Sequence, residues 1–203
     1  MEYGKKLVKN YLYNLVSVRE KKEVPTLLLL DSQAVKNTDS AGIETKGFCS
    51  YKFTNGIKRH LCTDTLGNIL FTHCTPANIS DDKGLIEMLT NNLNYFKQKP
   101  VNTKKITILL DNGYHKEKLE TELKQTYPQI LAKIRIQITP KPTKDKLDPG
   151  FKPVHKRWII ERTNSWSEKC RVLWKNCEKL IETSVAKLQL CTIRLQIKRL
   201  AKG

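Results

Sequence analysis

Short apolar runs that end abruptly on an acid punctuate this chain. Leu27-Leu28-Leu29-Leu30 stops at Asp31, and Ile106-Thr107-Ile108-Leu109-Leu110 stops at Asp111. Apolar runs of this length, bounded by polar residues, read as buried strands. The first predicts a strand over 26–30, with Asp31-Ser32-Gln33 marking its end. The second predicts a strand over 106–110, closed by Asp111-Asn112-Gly113, whose glycine permits positive φ. Between them, 57–63 and 69–75 are extended runs around Asp64-Thr65-Leu66-Gly67-Asn68, where Gly67-Asn68 signals a hairpin turn. Within that turn, Asp64 reads as a turn-stabilising carboxylate in preference to a catalytic one.

Other apolar positions keep helical spacing. Leu7, Tyr11, Leu15 and Val18 predict a basic helical arm over 1–24, or the remnant of an N-terminal region. Residues 37–56 suggest a loop with a short extended piece near 48–53. Leu85, Ile86, Leu89, Leu93 and Phe96 predict one helix capped by Ser80 or Asp81. A helix over about 115–127 follows, with His115 near its start, and then a strand over 134–139. Pro140, Pro142, Pro149 and Pro153 make 139–153 an irregular basic loop. Ile159, Thr163, Trp166, Cys170, Leu173, Cys177 and Leu180 alternate spacings of four and three, which predicts a long helix opening at Arg157. A last helix runs from Glu182 to about Ala201.

This order predicts an α/β domain over 25–203, a mixed sheet (hairpin plus parallel strands) flanked by helices, with a long C-terminal helical segment. The first and fourth strands should lie side by side and parallel. Open α/β sheets place their sites at such strand ends.

Composition narrows the partner. Lys and Arg number 37 against 20 Asp and Glu in 203 residues, a formal charge of +17. Such an excess fits a polyanion, although ribosomal or merely soluble basic proteins carry it too. The six cysteines form no C-x-x-C pair, and with the four histidines they offer no structural zinc set. Cys170, Cys177 and Cys191 fall on apolar helical positions, as small core hydrophobes do. A reduced, cytoplasmic protein, without export signal or membrane span, is the expectation.

The candidate chemistry lies in three carboxylates: Asp31, Asp111 and Glu161. Cleavage of a phosphodiester by a two-metal mechanism needs a few carboxylates around the ions. Oxygen ligands suit Mg2+ or Mn2+, with no need for histidine or thiolate. Taken singly, an Asp after a strand is more often a cap or turn residue.

Motifs in order sharpen the reading. Asp31-Ser32-Gln33-Ala34-Val35-Lys36, Gly56-Ile57-Lys58-Arg59-His60, Thr63-Asp64-Thr65-Leu66-Gly67 and Pro76-Ala77-Asn78 come first. Leu109-Leu110-Asp111-Asn112-Gly113-Tyr114 and Arg157-Trp158-Ile159-Ile160-Glu161-Arg162-Thr163 follow. Over about 25–180 the chain resembles a DDE transposase of the insertion-sequence-four/five superfamily, closest to the insertion-sequence-five group. The resemblance implies an RNase H-like fold, Mg2+ (or Mn2+), and cleavage and joining of transposon-end and target DNA, with homo-oligomers on DNA and a nucleoid location. It places the catalytic, metal-binding acids on Asp31, Asp111 and Glu161.

The same resemblance favours Arg157 as a fork on phosphate over a surface ion pair with Glu161, and puts a further basic residue at Lys169. Lys36, Lys58, Arg59, His60 and Arg162 complete the expected DNA contacts. Trp158 either packs or stacks on an unpaired base, Trp166 reads as core, and Glu168 as a salt-bridge partner of nearby cations such as Arg171. Two other functions share these features: a silent DNA-binding remnant of a transposase, and a structure-selective nuclease on the same fold.

Overall fold

The structure, a computed structural model, describes residues 25–97, 105–140 and 156–201. The predicted arm over 1–24 and most of the proline-rich loop lie outside them. The described elements are β1 (Leu27–Lys36), β2 (Phe48–Cys49), β3 (Thr54–Thr63), β4 (Ile69–Pro76), α1 (Asp81–Thr90) and α2 (Leu93–Lys97). After these come β5 (Ile106–Leu110), α3 (Lys116–Thr126), α4 (Pro128–Lys133), β6 (Ile134–Ile138), α5 (Arg157–Glu168) and α6 (Ile181–Leu200).

The six strands form one sheet in the order β2-β3-β1-β5-β6, with β4 also paired to β3. β1 runs antiparallel to β3 and parallel to β5, and β5 runs parallel to β6. This is the mixed α/β sheet predicted, and it is consistent with an RNase H-like fold. The hairpin forms as expected. Gly67 takes φ 82°, and Asp64 accepts from the amides of Leu66 and Asn68 and from the Asn68 side chain.

Strand alternation sorts the core into two layers. Leu28, Leu30, Ile106, Ile108 and Leu110 face the layer covered by α1 and α3, while Leu29 and Leu109 face the layer shared with Ile159, Ile160 and Leu188. Most of these are fully buried, each worth about 1.5–3 kcal/mol against exposure. Burial on both faces is why these runs look continuously apolar instead of alternating.

Four expectations need correction. β1 does not end at residue 30. It continues to Lys36, because β3 pairs with it as far as Gly56 although its parallel pairing with β5 extends only to Leu29–Leu109. The helix predicted through Phe96 is two, α1 and α2, divided at Asn91-Asn92. An unforeseen short helix, α4, starts on Pro128, a residue well suited to a first helical turn. The long C-terminal helix stops at Glu168, and a 3-10 turn over Arg171–Leu173 and a loop separate it from α6. Cys170 and Leu173 are buried all the same, but Cys177 lies exposed in the loop.

Candidate active site

Register brings two of the acids together. Leu29 pairs with Leu109 across the β1–β5 ladder, and Asp31 and Asp111 each stand two residues further on. A step of two keeps the face, so both carboxylates continue the Leu29/Leu109 side, the side over which α5 packs. Arg157, the first residue of α5, lies between them. Its guanidinium is 3.2 Å from Asp31 Oδ1 and 4.0 Å from Asp111 Oδ2, and it donates to the Leu30 carbonyl at 2.9 Å.

Asn164, two turns further along α5, donates from Nδ2 to Asp31 Oδ2 at 2.8 Å. Both oxygens of Asp31 are therefore held by one helix. Burial pushes the Asp31 carboxyl above its ordinary pKa; Arg157 and a backbone hydrogen bond from Ser32 oppose the shift, and Asp111 adds to it.

Asp31 and Asp111 differ in access, with side chains 21% and 52% exposed. Asp111 sits in a turn, accepting from the Asn112 amide at 2.7 Å. Glu161 is exposed on α5. At about 100° per residue it lies about 40° round from Arg157 and about 60° from Asn164, on the outer margin of the face that holds Asp31. Among the described residues no three acid, histidine or cysteine side chains converge as a ready ion site. The structure thus brings Asp31 and Asp111 together and leaves Glu161 on the neighbouring helix face, outside that pair.

The donor set nevertheless fits a hard cation. A guanidinium already spans the two carboxylates, and Asn164 Oδ1 is buried with no hydrogen-bond partner among the described residues. Carboxylate and amide oxygens are the donors that Mg2+, Mn2+ or Ca2+ prefer.

The expected DNA contacts divide sharply. Lys58 is 2% exposed, and its ammonium binds Asp81 at 2.9 Å and the Ile79 carbonyl at 2.7 Å. Arg59 is buried and donates to the Leu173 carbonyl at 2.7 Å; burial lowers its pKa. His60 is buried against Thr75, and burial, with His73 nearby, takes its pKa down to about 3. These three point into the fold, so they are internal struts and not phosphate contacts. β3 runs between β1 and β4 and is buried along almost its whole length, and that position is the reason. Arg157 likewise is 5% exposed and grips Asp31, which sets aside both the surface pair with Glu161 and an open phosphate fork.

Lys36, Trp158 and Lys169 are exposed, and Arg162 is half-buried. The Arg162 guanidinium lies 4.7 Å from the ring centres of both Trp158 and Trp166, and Arg199 lies 4.7 Å from Trp166. Trp166 is therefore a half-buried rung between cations instead of core. Glu168 accepts from the Gln33 amide, in place of a pairing with Arg171. A cleft of about 490 Å3 beside β1 is lined by Gln33, Lys36, Glu168, Trp174 and Lys175 among others.

Sequence reasoning missed Asn164. Its signal was available: seven residues after Arg157 and three after Glu161 put it on their helix face.

The transposase DDE domain model matches residues 22–194. The chain belongs to that family. The match spans both strands that carry the aspartates and all of α5, and it supports a transposase role acting on DNA. The family as a whole generally uses divalent metal ions. No curated protein matches the chain. No described helix is long and apolar enough to cross a membrane.

Proposed function

We propose that this DDE-domain chain cuts DNA at the ends of a mobile element and joins the freed ends to target DNA, in a cut-and-paste manner. Asp31, Asp111 and Glu161 are its acid set, and Mg2+ or Mn2+ its cofactor. The observation that carries the reading is the shared guanidinium. Carboxylates from adjacent parallel strands meet Arg157 beneath the same helix that bears Glu161. When bound, a divalent ion activates the attacking oxygen and neutralises charge on the leaving oxygen.

The protein's own share is positioning. Asp31 and Asp111 hold the cation, and Glu161 joins them from α5. Arg157 and Asn164 fix the Asp31 carboxylate, so that its oxygens do not have to be reorganised during reaction. Lys36, Lys169 and Trp158 are exposed and meet the DNA backbone and bases, while Arg162, half-buried against both indoles, holds Trp158 in place.

The test is Mg2+-dependent nicking of element-end DNA by the full chain. Asp31→Ala is expected to abolish nicking while DNA affinity is retained; nicking that survives in this variant would overturn the assignment. A strand-transfer assay with the same ends separates transposition from simple nuclease action.

A further inference from the structure

The geometry points to Asn164 as a fourth member of the acid group, one that positions Asp31 with its amide nitrogen and offers its amide oxygen to the cation or to a water on it. This rests on the metal-dependent reading above and deepens it.

Two independent observations carry it. The first is the 2.8 Å hydrogen bond from Asn164 Nδ2 to Asp31 Oδ2, which leaves Arg157 the other carboxylate oxygen. The second is the opposite end of the same amide. Asn164 Oδ1 is buried and accepts nothing among the described residues, although an amide oxygen has two lone pairs and burying it unpaired costs about 1–3 kcal/mol. The amide cannot be turned to relieve this without losing the donor to Asp31, since a carboxylate takes no bond from an oxygen.

An orphaned acceptor on an amide fixed to the Asp31 carboxylate has an evident complement, a cation or the water it carries. Asparagine also sits poorly in a helix interior, so helix propensity gives it no reason to be there. Asn164 and Arg157 together explain why Glu161 need not touch Asp31 directly: the helix that brings the third acid is already tied to the first one through its neighbours.

Binding of Mn2+ alone, counted by the loss of its free paramagnetic resonance signal, tests this on the full chain without DNA. The expected result is Mn2+ binding that Asp31→Asn abolishes and that Asn164→Leu, close in volume, weakens by about 10–100-fold. Asn164→Asp keeps an oxygen toward the cation and loses the donor. It should bind Mn2+ at least as tightly as the wild type while nicking more slowly, whereas a purely structural residue would change neither constant once folding is matched by urea midpoint. Asn164→Leu binding Mn2+ like the wild type overturns the inference alone. Asn164→Asp binding as weakly as Asn164→Leu overturns the role of Oδ1. Absence of any Asp31-dependent Mn2+ binding in the wild type overturns the metal reading itself, and this inference with it.

Discussion

Arg157→Ala is the substitution from which the geometry asks most. The side chain is 6% exposed and serves two buried groups, the Leu30 carbonyl and the Asp31 carboxylate. Removing one partner of a fully buried ion pair costs about 3–5 kcal/mol. Asp31 keeps some solvent access and its bond from Asn164, so its part should fall to about 2 kcal/mol, and the stranded Leu30 carbonyl adds about 1 kcal/mol. The expected loss is therefore about 3 kcal/mol, most of it traceable to one negative charge.

That attribution is testable with a double-mutant cycle in urea. In an Asp31→Asn background, Arg157→Ala should cost only about 1 kcal/mol, a coupling of about 2 kcal/mol. The pH dependence supplies a second check. Because burial raises the Asp31 pKa in the native state, the native protein holds that proton more tightly than the unfolded chain. Asp31 thus penalises folding at neutral pH, and the penalty shrinks as pH falls through its raised value. Without Arg157, which opposes the rise, the penalty grows and its relief begins at higher pH. The cost of Arg157→Ala should then shrink as the pH is lowered from neutral into the acid range. A coupling under about 0.5 kcal/mol, or a cost indifferent to pH, would refute the claim that Arg157 acts by holding Asp31.

Other consequences follow from the buried groups. His60, with its pKa depressed to about 3, stays neutral in the native state while the unfolded chain protonates near 6.5, so it should withdraw stability as pH falls from about 6.5 toward 3, by up to about 1.4 kcal/mol per pH unit; His60→Asn should flatten that part of a urea-stability profile. Gly84→Ala would place a methyl 2.2 Å from His60 Cε1 and should lower stability by about 1–3 kcal/mol, a loss that should shrink in a His60→Ala background when both are followed by thermal melts. Lys58→Met should change stability without changing the salt slope of DNA binding, because the ammonium is spent on Asp81 and Ile79. Lys36→Ala should do the reverse, lowering that slope by about one as one phosphate contact is lost in a filter-binding titration.

Which parts could be read in advance follows from the range of the forces involved. Strand identity at β5 and the β3–β4 hairpin rest on local pattern and turn chemistry, and both appear where expected. The β1–β5 pairing that unites Asp31 with Asp111 was inferable from the order of elements. The length of β1 was not, because over Asp31 to Lys36 its only strand partner among the described residues is β3 and the sequence there shows no continuous apolar run. Lys58, Arg59 and His60 show the harder limit. Three basic residues in sequence look like a surface patch, and only the three-dimensional positions of Asp81, the Leu173 carbonyl and Thr75 reveal that each side chain is engaged inside. The end of α5 at Glu168 was hidden for a related reason. The apolar spacing runs on through Leu173 because the chain after the helix stays packed on the same layer.

The site therefore depends on α5 more than on the strands that carry its aspartates. Strand register sets Asp31 beside Asp111, but Arg157 and Asn164 reach Asp31 from one helix, the helix that also carries Glu161, and its rotation decides whether they do. A second contact fixes that rotation on the far side. Arg162 donates to the Leu66 carbonyl and lies against Trp158 and Trp166, while Arg199 of α6 lies over Trp166 and donates to Leu66 and Gly67. The β3–β4 turn is thus gripped by two guanidiniums, and its carbonyls are free to accept them because Asp64 takes up the turn's amides instead. The Cβ of any residue replacing Gly67 would stand 3.0 Å from Thr163 and 3.1 Å from Arg162, besides requiring positive φ. A hairpin turn remote in sequence from α5 is in this way part of what sets the helix that carries Arg157 and Asn164. Arg162→Ala, which breaks the grip without touching an acid, should lower nicking more than it lowers the urea midpoint, and equal losses in the two would show the turn to be mere packing.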